Sequence, residues 1–319
     1  MNKKLIKGFK IGLPLLLASF FGWLTFSKLP FSEIIPYFKK ANYLWVLTGM
    51  FIGLLSHISR AYRWQFMLKP LGYSIKLPNS FMALFAAYLA NYGIPRSGEV
   101  LRAAVITNYE KVPFEQSFGT IVAERIIDLA VILIIVAITL FFQFDFIYSI
   151  LLETFNLTKI LFGLGILLVL GIAFLIFIQK SKLKIAIKIK NFLSGLIKGV
   201  TSIFKLKQKW TFLFHTIFIW CMYVLMFYIT SFALEDLNQT PFAAIIVAFI
   251  AASFTIAATN GGLFFYPAAV LAAFLLFDLP KEPSYAFGWI VWASQTVMIT
   301  IIGILSFICL PIYNKSKLN

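Results

Sequence analysis

A chain of 319 residues that is 61% hydrophobic and 13% charged, with a mean hydropathy of +0.91, is no water-soluble globule; it reads as a polytopic helical membrane protein. Its net charge of +16 does not point to nucleic acid, because the lysines gather in loops that flank apolar runs. Cys221 and Cys309 lie inside apolar runs and read as buried free thiols, and His57 and His215 each stand alone near a span end, so neither a disulfide framework nor a metal site is expected.

A spanning helix takes ~20 mostly apolar residues, which leaves room for about eight spans with short loops and none for a second, soluble domain. Lys3, Lys4, Lys7 and Lys10 precede an apolar run from Ile11 to Phe26 that ends in Phe20-Phe21-Gly22-Trp23 rather than a small-x-small cleavage site. It is therefore expected to be an uncleaved first span over about 9–27, leaving the cytoplasm. The loop 28–41, with Phe31, Ile34, Ile35, Tyr37 and Phe38 around Glu33, is external and partly interfacial. A second span, about 42–59, returns to the inside and ends in Arg60-Ala61-Tyr62-Arg63-Trp64.

The stretch Asn91-Tyr92-Gly93-Ile94-Pro95-Arg96-Ser97-Gly98-Glu99-Val100-Leu101-Arg102 breaks the apolar pattern. Pro95 cannot continue a helix, and the glycines beside it favour a turn. Charges at a helix break are tolerated at membrane depth only where they line a protein-enclosed or watery cavity. The pattern predicts a re-entrant hairpin from the cytoplasm: one helix over about 79–91, a turn at 93–98 and a second helix over about 98–109.

A span over about 118–142 carries Glu124, Arg125 and Asp128 in its first third, and another over about 158–178 comes back in. Nine lysines then fall between 180 and 209, the strongest topological marker in the chain. Ala186, Ile189, Leu193, Leu196, Ile197, Val200 and Phe204 recur there near helical spacing, which fits an amphipathic helix on an anionic inner leaflet or a surface helix packed on the bundle. After a span over about 211–233, two apolar stretches flank Thr259-Asn260-Gly261-Gly262, a second hairpin entered from outside over about 241–277. The last span, about 286–310, ends inside with Lys315 and Lys317.

In this arrangement 23 of the 28 Lys and Arg residues lie inside or on the inner half of the membrane, and reading both breaks as full spans would turn the nine-lysine loop outward. The expected fold is all-α, with about seven full spans and two opposed re-entrant hairpins arranged like an inverted repeat. It forms one integral membrane domain over 1–319: a first half over 1–178, a basic cytoplasmic loop over 179–209 and a second half over 210–319. The bland alternative is that both breaks are kinks in packed spans.

Arg96, Glu99, Arg102, Glu124, Arg125 and Asp128 are the ionisable groups expected at depth, where each costs ~2.5–3.5 kcal/mol at a helix centre. Three charges of each sign permit a neutralised cluster. Glu124 and Asp128 share a helix face from which Arg125 points about 100° away. These three fit either a structural ion-pair knot or a charge-balancing role with Glu99 toward a headgroup or proton. With Ser97 as a helix cap, free amides at Gly98 and Glu99 and Arg96 alongside, the turn reads as a site for a lipid phosphate, shared with Arg102. Arg60 and Arg63 either attract headgroups or act as snorkelling anchors. No nucleophile–base pair, P-loop or dinucleotide fingerprint is present, so no catalytic residue, cofactor or metal is expected.

The motifs Arg60-x-x-Arg63-Trp64, Asn91-x-x-x-Pro95-Arg96-x-Gly98-Glu99-x-x-Arg102 and Glu124-Arg125-x-x-Asp128, with the later Gly261-Gly262 pair, resemble the flippase-like family named for the membrane domain of lysylphosphatidylglycerol synthases (multiple-peptide-resistance-factor proteins). Two departures matter: the second hairpin lacks the acid that often ends the family's glycine-rich run, and the sequence ends at Asn319 without the soluble aminoacyl-transferase domain, so tRNA-dependent lysyl transfer is not carried over. The resemblance implies a lipid translocase that moves an anionic or aminoacylated phospholipid, or a polyprenyl-phosphate-linked lipid, between leaflets of the cytoplasmic membrane. Asn260, Gly261 and Gly262 would then form the second hairpin's gate, and a synthase or glycosyltransferase is an expected partner; the lysine distribution places both termini in the cytoplasm. The alternative is a membrane-embedded transferase acting on lipid headgroups, or a subunit of one.

Overall fold

A computed structural model describes residues 31–94, 96–144, 206–259 and 261–315. Among these residues the chain is helix and turn, with no strand. They fall into two compact units, one formed by Met1–Phe118 with Trp210–Asn319 and one by Gly119–Lys209.

In the first unit, α1 (Phe31–Lys40) occupies the loop expected before the second span, and its Ile34 is fully buried. Asn42 caps α2 (Tyr43–Leu68), its side chain accepting the Leu44 amide at 3.1 Å. The first hairpin is α3 (Leu77–Gly93), opened by Pro78 in its first turn, and α4 (Ser97–Glu110). The helix α5 (Phe114–Phe142) begins in the first unit and continues into the second. Then come α6 (Lys209–Ser231), the second hairpin α7 (Phe242–Ala258) and α8 (Phe265–Leu275), and α9 (Lys281–Tyr313). Proline precedes both α7 and α9, where the missing amide hydrogen costs nothing.

Four of these helices, α2, α5, α6 and α9, are long and apolar enough to cross a membrane. The expected spans over 9–27 and 158–178, and the amphipathic stretch over 186–204, lie outside the described residues. The second arms of the hairpins, of 14 and 11 residues, reach only about 21 and 17 Å, short of the ~30 Å hydrocarbon core. Neither is long enough to cross it.

Two sequence expectations change here. The helix of the second span does not stop near residue 59: α2 runs on to Leu68, because nothing before Pro70 breaks it, and a charged side chain ends no helix that can shelter it. Cys221 and Cys309 are exposed rather than buried, sitting on the outer faces of apolar helices.

The first unit is organised along α9. Gly288 lies against the backbone of Pro267 in α8, and a Cβ there would sit 2.7 Å from the Pro267 Cα. Gly303 makes the same close approach to α3: a Cβ there would sit 3.0 Å from the Phe85 carbonyl oxygen and 2.8 Å from the Leu89 Cβ. At the far end of α9, Asn314 pairs with Asn79 at the start of α3. The first hairpin thus climbs α9 from its C-terminal end and the second from its N-terminal end.

Candidate functional site

The two hairpin tips meet beside the central turns of α9. From the first tip, the Tyr92 ring lies against Gly261 of the second, its Cε1 2.7 Å from where a Gly261 Cβ would project. Gly261 (φ 72°) and Gly262 (φ 75°) are both left-handed, so glycine is required by the backbone as well as by the ring above it. The helix α9 reaches both tips: the Trp292 indole Nε1–H donates to the Gly261 carbonyl at 2.7 Å, and the Tyr92 hydroxyl lies 3.3 Å from the Thr296 Oγ1. Phe264 and Trp289 complete an aromatic group, their rings edge-on at 5.7 Å, with Trp289 edge-on to Trp292 at 5.6 Å.

Arg96 follows this junction on the first tip, exposed and in the left-handed region at φ 60°. A residue with a Cβ pays for that conformation, and such strain is held where the surrounding structure imposes it. Arg96 itself is the capping position of α4, without a side-chain cap, so Ser97 is not the cap the sequence suggested. The Ser97 hydroxyl instead donates back to the Ile94 and Ala90 carbonyls at 2.8 and 3.2 Å. Nor is the Gly98 amide free: it donates to the Asn91 Oδ1 at 2.7 Å, an Asn side chain standing where the anion was expected. The reason is local, since Asn91 is one helical turn behind the bend and its amide folds across it. Arg96 is thereby left as the open group of that tip. Pro95 and Asn260 lie outside the described residues.

Arg102 is placed otherwise. It is 2% exposed, and its guanidinium sits over the Trp64 indole of α2 with Cζ 3.9 Å from the ring centroid. Arg60 and Arg63 do not snorkel; both are buried. The Arg63 Nη1 donates to the Thr216 Oγ1 of α6 at 2.9 Å with its Cζ 5.4 Å from the Phe212 ring, and Arg60 lies 5.8 Å from the Tyr223 ring. Three guanidinium groups, two helical faces and an indole therefore tie α2 to α4 and α6. His57 packs edge-on against Phe85, Tyr88 and Tyr223, and the His215 Nδ1 lies 2.8 Å from the Ser59 Oγ, packing roles in keeping with their isolation in sequence.

Of the remaining expected residues, Glu99 is half-buried on the first turn of α4. Glu124 and Asp128 are buried and Arg125 exposed, as their spacing on one helix requires; they belong to α5 in the second unit. Among the described residues no group of His, Cys, Asp and Glu could hold a metal. Sequence reasoning missed Trp292 and Thr296, which read only as part of an apolar span, and missed the Asn79–Asn314 pair. The one signal for that pair was an amide at each end of otherwise apolar runs.

A family model described as the lysylphosphatidylglycerol synthase TM region matches residues 11–303. Among curated proteins, the UPF0104 membrane protein MJ1595 of Methanocaldococcus jannaschii is 30% identical over 104 residues, 32% of this chain. The match spans about a third of that protein, 31% of its length. No solved structure matches the chain.

Proposed function

The chain belongs to the family of the lysylphosphatidylglycerol synthase transmembrane region, and on that premise we propose that it is a lipid translocase of the cytoplasmic membrane. Its substrate would be an anionic or aminoacylated phospholipid, or a polyprenyl-phosphate-linked lipid. The observation that carries this reading is the meeting of two opposed hairpin tips beside the middle of α9, with the Arg96 guanidinium exposed next to the junction. An ionisable group held open at that depth needs an aqueous or amphiphilic neighbour, and a phosphate headgroup supplies one.

Arg96 offers two forked donors to a phosphate while the tail stays in hydrocarbon. Arg102, being buried, acts on the headgroup through the position of α4. Glu99, on the first turn of α4, balances charge or meets a cationic headgroup or a proton. Purified protein in vesicles should move a tail-labelled anionic phospholipid between leaflets faster than protein-free vesicles do. Arg96→Ala should slow it about ten-fold, and Arg96→Lys should retain part of the rate, since one charge-assisted hydrogen bond is worth ~1.5–3 kcal/mol. No movement above the lipid background, with Arg96→Ala cells behaving like wild type, would refute the reading.

A further inference from the structure

The two tips are not held alike. The second is pinned. It is tied to α9 through its backbone: the Trp292 indole donates to its Gly261 carbonyl at 2.7 Å, and Pro267 is seated on Gly288. The first tip stands in the open beyond Tyr92. Gly93, Ile94 and Arg96 are exposed, and a Cβ placed on Gly93 would meet nothing within 4 Å. Farther down, the same hairpin is fixed again at Asn79, whose amide donates to the Glu110 Oε1 at 2.6 Å and to the Asn314 Oδ1 at 2.9 Å. The hairpin is thus clamped at its base, seated on Gly303 midway, and held at its tip by the Tyr92 ring on Gly261 and by Thr296.

We infer that Tyr92 is the latch between the hairpins: the two tips part when the tip of α3–α4 leaves Gly261, while α7–α8 stays on α9. Nothing larger than glycine at 261 would let the ring lie so close, so the latch and its seat are matched in shape. The latch also lies four residues before Arg96 on the same tip, so a headgroup drawn to that guanidinium arrives at the tip that carries the ring. This deepens the translocase reading and rests on it for the passenger, but the latch itself can be tested without any lipid movement.

The test uses full-length protein in lipid nanodiscs, with Cys221→Ser and Cys309→Ser removing the exposed native thiols and Thr296→Cys as reporter. The reporter is compared in Tyr92→Phe and Tyr92→Ala backgrounds; both lack the hydroxyl, so they differ only in the ring over Gly261. A membrane-impermeant methanethiosulfonate should modify the reporter about ten-fold faster with Tyr92→Ala, a ten-fold rise in the open fraction. Tyr92→Leu, which keeps bulk, should fall between, and adding Trp292→Phe to the Tyr92→Phe protein should change the rate less than Tyr92→Ala does. Equal rates in the Phe and Ala backgrounds, or a larger effect from Trp292→Phe, would overturn the latch. If the contrast holds and wild-type protein moves no lipid, the translocase reading falls and the latch stands; if lipid moves and the contrast is absent, the reverse is true.

Discussion

Arg102 takes its charge into the interior over the Trp64 indole, where a weakly hydrated, delocalised guanidinium is better suited than a compact, strongly hydrated ammonium. Arg102→Lys should therefore lower the midpoint of thermal unfolding in detergent by the equivalent of about 1–2 kcal/mol. Trp64→Leu should cost a similar amount, and the double variant less than the sum, because both remove one contact. Gly98 marks another tight place: a Cβ there would run into the Ala87 carbonyl and come within 2.8 Å of the Asn91 Oδ1. Gly98→Ala should force α3 and α4 apart and destabilise by about 1–3 kcal/mol in the same measurement. At the surface, burial and the Asp236 and Glu282 carboxylates hold the Tyr37 phenol above its ordinary value. The neutral phenol is the form folding favours, so its contribution is complete below the ordinary phenol range and fades as pH rises through the higher folded value. Asp236→Asn with Glu282→Gln should move the ultraviolet phenolate transition to lower pH, leaving the part due to burial.

Among the elements, the base of the first hairpin is the most specific joint. Asn79 and Asn314 exchange amide hydrogen bonds, Asn314 also donates to the Leu310 carbonyl at 2.9 Å, and Glu110 accepts from both Asn79 and the Lys76 amide. Three helices thereby meet at a buried polar knot with its donors and acceptors matched. Removing one amide leaves its partner dry, so Asn79→Ala or Asn314→Ala should each cost about 1–3 kcal/mol, while the double variant costs clearly less than the sum. A double-mutant cycle on thermal midpoints reads this directly.

For the molecule as a whole, both hairpins were legible in the sequence. Pro95 with its glycines and the Gly261-Gly262 pair break apolar runs that are otherwise continuous in sequence, and α3 ends at Gly93 and α7 at Ala258. What each break does was not legible. Spacing alone cannot reveal that Asn91 reaches over the bend to occupy the Gly98 amide, nor that arginines 60 and 63 find Thr216 and aromatic faces on a helix some 150 residues away. Charge at the end of the second apolar run was read as a loop where it marks packing between helices far apart in sequence. The proposed sidedness rests on lysines: Lys188→Cys should react with an impermeant reagent only from the cytoplasmic face of intact cells.

Gly288 and Gly303 are fifteen residues apart, so along α9 they lie about 22 Å from one another and only about 60° apart around its axis. Both hairpins therefore dock on nearly the same side of one rod, one above the other, and come together end to end instead of sliding past. The distance between opposing faces is thus written into the phase of a single helix. Inserting one alanine between Met298 and Gly303 would turn the lower docking point by about 100° relative to the upper one. The rod would stay intact, and the two ends it brings together would miss.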